Sequence, residues 1–98
     1  MSRTRYRNPQ LLGQLAALGC VICHGEAQVH HSRQGMGTGQ RSGDHRAYPL
    51  CRECHQDGPE AIHRLGWREW GRRFGAEDEH IRRCHRLLGF VVPEGDWR

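Results

Sequence analysis

Four cysteines fall into two pairs of identical spacing, Cys20-Val-Ile-Cys23 and Cys51-Arg-Glu-Cys54. Two intervening residues let both thiolates of a pair turn onto one tetrahedral ion, so the two knuckles together predict a closed four-sulfur structural zinc site. A second set of reactive side chains runs between and after them: His30-His31, then Asp44-His45, then His55 directly after the second knuckle, and His63 farther on. With both knuckles pinned on one ion, the segments carrying His30-His31 and His55 must lie close together. An ion held by imidazoles with open positions acts as a Lewis acid on a phosphate oxygen, while a neutral histidine beside it takes a proton from water. That is the chemistry of phosphodiester hydrolysis. Adjacent strand residues point to opposite faces, so His30 and His31 are expected to do different jobs. The blander reading of the pair is as extra zinc ligands.

The remaining cysteine and histidines read as structural. A disulfide framework suits a secreted chain, but no export signal opens this one, and pairing four cysteines leaves a fifth over. That fifth, Cys84, lies at i+3 from Ile81 and i−4 from Leu88, the position of a small core residue. His24 follows the first knuckle and reads as a solvent-facing turn residue rather than a competing ligand. His80 and His85 sit among arginines and read as surface.

These side chains need elements to position them. Asn8-Pro9 is an N-cap followed by a first-turn proline, and apolar residues then recur at helical spacing, predicting a helix over Pro9 to Leu18 that Gly19 stops. Glu26 to Arg33 reads as a short strand, and Ala47 to Leu50 as a second that runs into the second knuckle and closes a hairpin. Between them Gln34 to Asp44, rich in glycine and poor in apolar side chains, is expected to be a mobile loop. Pro59 opens a helix predicted to continue through Phe74. On it His63, Trp67, Trp70 and Phe74 share an inward face, while Arg64, Arg68 and Arg72 share another. The arginine row is most simply a solvated face and, on the sharper reading, a set of phosphate contacts. Glu77, Asp78 and Glu79 start a third helix with the charges its N-terminus favours, running to Leu88 before Gly89. Met1 to Arg7 is expected to be a mobile basic arm and 89–98 an irregular tail.

Composition bounds the rest. Ninety-eight residues allow one small domain, and with 36% hydrophobic residues burial alone cannot hold it, so the zinc must act as a staple. All 15 basic residues are arginine, against 11 acidic ones, and the net charge is +4. Arginine's planar fork matches phosphate, which favours a nucleic-acid partner, although a GC-rich genome would produce the same bias. No apolar run is long enough to span a bilayer, so the chain is expected to work in the cytoplasm of a bacterial or phage-infected cell, away from membranes.

The order Cys20-x2-Cys23, His30-His31, Asp44-His45, Pro49-Leu50-Cys51-x2-Cys54-His55 resembles the HNH endonucleases over Cys20 to His63. A second likeness takes in His30-His31-Ser32-Arg33, Gly39-Gln40-Arg41-Ser42, Tyr48-Pro49-Leu50-Cys51, His55 to His63 and Arg73-Phe74-Gly75. It is similar to the phage recombination-enhancement nucleases that act with RecA. The resemblance implies a small α+β fold: a ββα-metal, treble-clef-like core over residues 20–74, stapled by a four-cysteine zinc and flanked by helices at 9–18 and 77–88. It also implies that His31 is the general base, that His30 and His55 hold a catalytic divalent metal (Mg²⁺, Mn²⁺, Ni²⁺ or Zn²⁺), and that His63 completes the metal shell or contacts the scissile phosphate. Asn is usual at the middle motif position. This chain offers Asp44, His45 and Arg46 there, leaving Asp44 or His45 to hold the base in its productive tautomer, with His45 preferred. DNA would be the substrate, contacted through Arg33, Arg41, Arg64 and Arg68, and RecA filaments a partner. Two readings of other classes compete: a zinc-stapled DNA-binding module without catalysis, and a protein-interaction domain anchored by Trp67 and Trp70.

Overall fold

The computed structural model describes residues 6–35 and 42–92. Asn8 opens helix α1 (Pro9–Leu18) by accepting the Leu11 backbone N–H on its side-chain oxygen at 3.0 Å. Leu11 and Leu15, one turn apart, are buried and turn the inner face of α1 onto the sheet. Gly19 then takes φ +87°, and a side chain there would meet the His24 carbonyl oxygen at 3.1 Å, so glycine lets the first knuckle fold back on the helix end. The knuckle is closed by the Cys20 N–H donating to Gly25 and the His24 N–H donating to Cys20, both at 2.9 Å. His24 itself is exposed in the turn.

Strands β1 (Gln28–His31) and β2 (Ala47–Leu50) form an antiparallel two-stranded sheet in which His30 faces Tyr48 and His31 faces Ala47. β2 occupies its predicted span. β1 is shorter than predicted: past His31 the facing segment bends into a 3₁₀ turn, Asp44–Arg46, and before Gln28 it has passed beyond Leu50 into the second knuckle. Pro49 has no N–H to donate, but its carbonyl accepts from Val21 at 3.1 Å. The first knuckle is thereby tied to the strand that runs directly into the second.

A π-helical turn, Glu53–Asp57, follows Cys51 and carries Cys54 and His55. The single helix predicted over Pro59 to Phe74 is instead two, α2 (Ile62–Leu65) and α3 (Trp67–Phe74), broken at Gly66, whose φ of +83° is not helical. The break undoes the expected common face: Trp70 is buried, Trp67 and Phe74 are half-buried, and His63 is exposed rather than inward with the aromatics.

Helix α4 (Glu77–Leu88) has its predicted bounds and buries Glu77, His80, Ile81, Cys84 and His85, one continuous helical stripe. Cys84 is a core residue, as expected. His80 and His85, expected at the surface, are buried because they share that stripe. The His80 Nε2 lies 2.9 Å from the Phe74 carbonyl, to which its N–H donates, and the His85 ring meets Phe90 edge-on at 5.0 Å. Of the expected basic arm, Tyr6 is anchored: its carbonyl accepts the Asp44 N–H at 2.9 Å and its ring meets His45 edge-on at 5.4 Å. The rest of the arm (1–5), most of the glycine-rich loop (36–41) and the end of the tail (93–98) lie outside the described residues. Among the described residues the architecture is thus small α+β, with a two-stranded sheet and four α-helices. Among the described residues no helix is long and apolar enough to cross a membrane.

Candidate metal centres

The four knuckle sulfurs, Cys20, Cys23, Cys51 and Cys54, all lie within 4.8 Å of one another. Backbone N–H groups of Ile22 and Cys54 point at the sulfurs of Cys20 and Cys51, each at 3.4 Å. Burial works against the Cys20 thiolate, but backbone hydrogen bonds at Cys23, Cys51 and Ile22 outweigh it and lower its pKa to about 7. Cys54 is pushed up by burial and by the neighbouring thiols, a crowding that a divalent cation relieves. No disulfide competes: all five cysteines are free. The donor set fits structural zinc.

A second group of donors converges at His55, just after the second knuckle. His30 Nδ1 lies 3.0 Å from His55 Nε2, and His63 Nε2 lies 2.8 Å from the same atom. All three nitrogens fall within 4.8 Å of one another, close enough to share one ion. Each comes from a different element: His30 from β1, His55 from the π-turn that the Cys51 carbonyl anchors at 2.9 Å, and His63 from α2. Burial and the charges of His30 and His63 lower His55 to about 4, and burial, His30 and Arg33 lower His63. Both are therefore neutral near pH 7, the form in which imidazole binds metals. One nitrogen facing two others cannot satisfy both with a single proton. A cation can.

Two side chains back the ring nitrogens turned away from this convergence. The Gln28 amide lies 3.2 Å from His55 Nδ1, and the Glu77 carboxylate lies 3.4 Å from His30 Nε2. Glu77 also accepts the Tyr48 hydroxyl at 2.6 Å and the Ser32 hydroxyl at 3.0 Å. Burial would raise this carboxyl, but the His30 ring beside it and the hydrogen bonds from Tyr48 and Ser32 outweigh it and hold it below the usual range. Neither residue was among the sequence candidates. Gln28 carried a signal, since it shares the strand face of His30. From the sequence Glu77 reads only as a helix N-terminal charge.

On the other strand face, His31 Nε2 lies 2.9 Å from Asp44 Oδ1, while Asp44 Oδ2 accepts the Asn8 backbone N–H at 2.7 Å. Asp44, not the preferred His45, is thus the side chain at His31. Successive residues of a 3₁₀ turn point about 120° apart, so both cannot face the same ring. His45 instead packs against Tyr6, with its pKa lowered by burial and by Arg46 and His85.

Of the candidate phosphate contacts, Arg33 lines a cleft of about 180 Å³ with His30, Ile62, His63, Gly66 and Trp67. The Arg68 guanidinium lies 5.0 Å from the Trp67 ring centroid, and Arg64 is exposed on α2. Arg41 lies outside the described residues. Trp70 is in the core, so only Trp67 of the two tryptophans borders this surface. Comparison with protein-family models, with curated proteins and with solved structures finds no match to this chain.

Proposed function

We propose that this protein is a metal-dependent endonuclease that hydrolyses DNA phosphodiester bonds, built on the ββα-metal plan of the HNH enzymes it resembles. The observation that carries this reading is the convergence of His30, His55 and His63 next to a His31–Asp44 couple from the same strand.

Asp44 accepts Nε2–H from His31, fixing the tautomer whose lone pair is on Nδ1. From there His31 takes a proton from water as the water oxygen attacks phosphorus in line. The P–O3′ bond breaks, and the departing 3′ oxygen takes a proton from solvent, leaving 5′-phosphate and 3′-hydroxyl ends. A divalent ion held by His30, His55 and His63 would supply Lewis acidity toward the phosphoryl and leaving oxygens. Three imidazoles suit Mn²⁺, Ni²⁺ or Zn²⁺ better than Mg²⁺, which demands oxygen ligands. Arg33, which lines the same cleft as His63, would meet a phosphate there, with Arg64 and Arg68 extending the positive surface. Cleavage within recombination or DNA processing, with RecA filaments as a partner, follows from the family resemblance.

The test is a supercoiled-plasmid assay on zinc-loaded protein with each divalent ion, beside a folded His31→Ala variant, in duplicate with RecA filaments. Metal-dependent nicking that the variant loses supports the reading and identifies the base. No cleavage under any ion, by protein that binds DNA, replaces it with the non-catalytic zinc module.

A further inference from the structure

Glu77 is buried, charged and unused by the reaction proposed above, and it approaches the site from behind. The two nitrogens of an imidazole lie on different edges of the ring. His30 turns Nδ1 to His55 at 3.0 Å and Nε2 to Glu77 at 3.4 Å, an ion-pair contact that leaves this buried nitrogen without a hydrogen bond and with the carboxylate as its nearest charge. The carboxylate is therefore placed as a partner of a ligand and not as a ligand. Its position is fixed by two further donors from the hairpin, the Tyr48 and Ser32 hydroxyls, and by its place in the first turn of the twelve-residue helix α4, where the helix dipole favours negative charge.

We infer that Glu77 is a positioning residue for the histidine centre: it accepts the Nε2 proton of His30, holds the Nδ1 lone pair toward His55 and His63, and sets a negative charge one ring away from a bound cation. The inference rests on the metal-centre reading proposed above. Three neutral imidazoles bring no charge to a divalent ion. A carboxylate behind one of them supplies compensation and makes that ring a stronger donor, the arrangement by which outer groups tune metal affinity. The contact also joins α4 to a centre whose three ligands all precede it in the chain, so the last helix takes part in the site without touching the ion.

Cobalt titration of the full-length protein tests this, because sulfur-to-cobalt charge transfer reports the cysteine site and separates it from the nitrogen site. Glu77→Gln is expected to weaken cobalt binding at the histidines by roughly tenfold to a hundredfold, with the charge-transfer band unchanged. Uptake at both sites by wild type, with histidine-site affinity unaltered in Glu77→Gln, overturns the role of Glu77 and leaves the metal centre standing. Uptake only at the sulfurs in wild type overturns the metal centre itself. A second measurement needs no variant: a ¹⁵N–¹H correlation spectrum of the histidine rings in zinc-loaded wild type should show the His30 proton on Nε2. A proton on Nδ1 overturns the inference even if Glu77→Gln fails to fold.

Discussion

The two candidate centres share the second knuckle but are built by opposite rules. At the cysteine site each pair of ligands sits in one turn, and backbone N–H groups do the outer work. At the histidine site each ligand comes from its own element, and the outer work falls to side chains, Gln28 and Glu77. Four sulfurs fill a tetrahedron and leave no room for a substrate. Three nitrogens leave positions open, and here they border a cleft. On the proposed reading, the first centre holds the fold and the second acts within it.

The sharpest way to break this contrast is to remove the zinc. Structural zinc contributes roughly 10–16 kcal/mol in small metal-stapled domains, as much as the whole stability of a domain this size. Cys51→Ser, or full chelation, is expected to abolish helical circular dichroism. A cooperative unfolding transition that survives complete metal removal would erase the distinction.

His55→Ala should do the reverse, retaining the fold and one equivalent of zinc while losing the second ion and all cleavage. Mass spectrometry under native conditions counts the ions directly. His31→Ala is expected to lower the cleavage rate by about 10²–10⁴-fold with metal content and DNA affinity unchanged, which gel-shift titration beside the plasmid assay would check.

Acid should weaken the fold through histidines outside both centres. His45, His80 and His85 have pKa values lowered chiefly by burial, so the unfolded chain binds their protons more readily than the folded one. Stability is then full above the unfolded value of about 6.5 and declines as pH falls through it toward the folded values, by at most about 1.4 kcal/mol per pH unit for each ring. Urea midpoints between pH 7.5 and 5.5 should fall less steeply in His85→Leu than in wild type. The smallest effect is expected from Arg68→Ala: a slightly weaker DNA complex whose salt dependence is shallower by about one counterion. An unchanged slope would take Arg68 out of the interface.

Much of this was legible in the sequence where the signal is local. Knuckle spacing, the Asn8-Pro9 cap and Gly89 gave the cysteine cluster, α1 and the end of α4, because each is decided within a few residues. The break at Gly66 was not, since the apolar spacing of Trp67, Trp70 and Phe74 continues that of His63 and hides a backbone change. The stripe of α4 was present in the sequence, but two of its members are histidines among arginines, and only packing against Tyr48, Trp70 and Phe90 shows that they are inside. Glu77 was illegible for a different reason. Its partners Ser32 and Tyr48 lie far back in the chain, and no local pattern pairs them.

The joint at Asp44 also bears on why, on the proposed HNH reading, an acid stands where that pattern usually has an amide. One of its oxygens serves the His31 ring and the other serves the Asn8 backbone at the threshold of α1. Asparagine has one oxygen and an NH₂ group that cannot accept, so it could meet either donor but not both. Holding the His31 ring and docking the first helix are therefore coupled through one side chain: a change at position 44 that retunes the imidazole is expected also to loosen the amino-terminal helix.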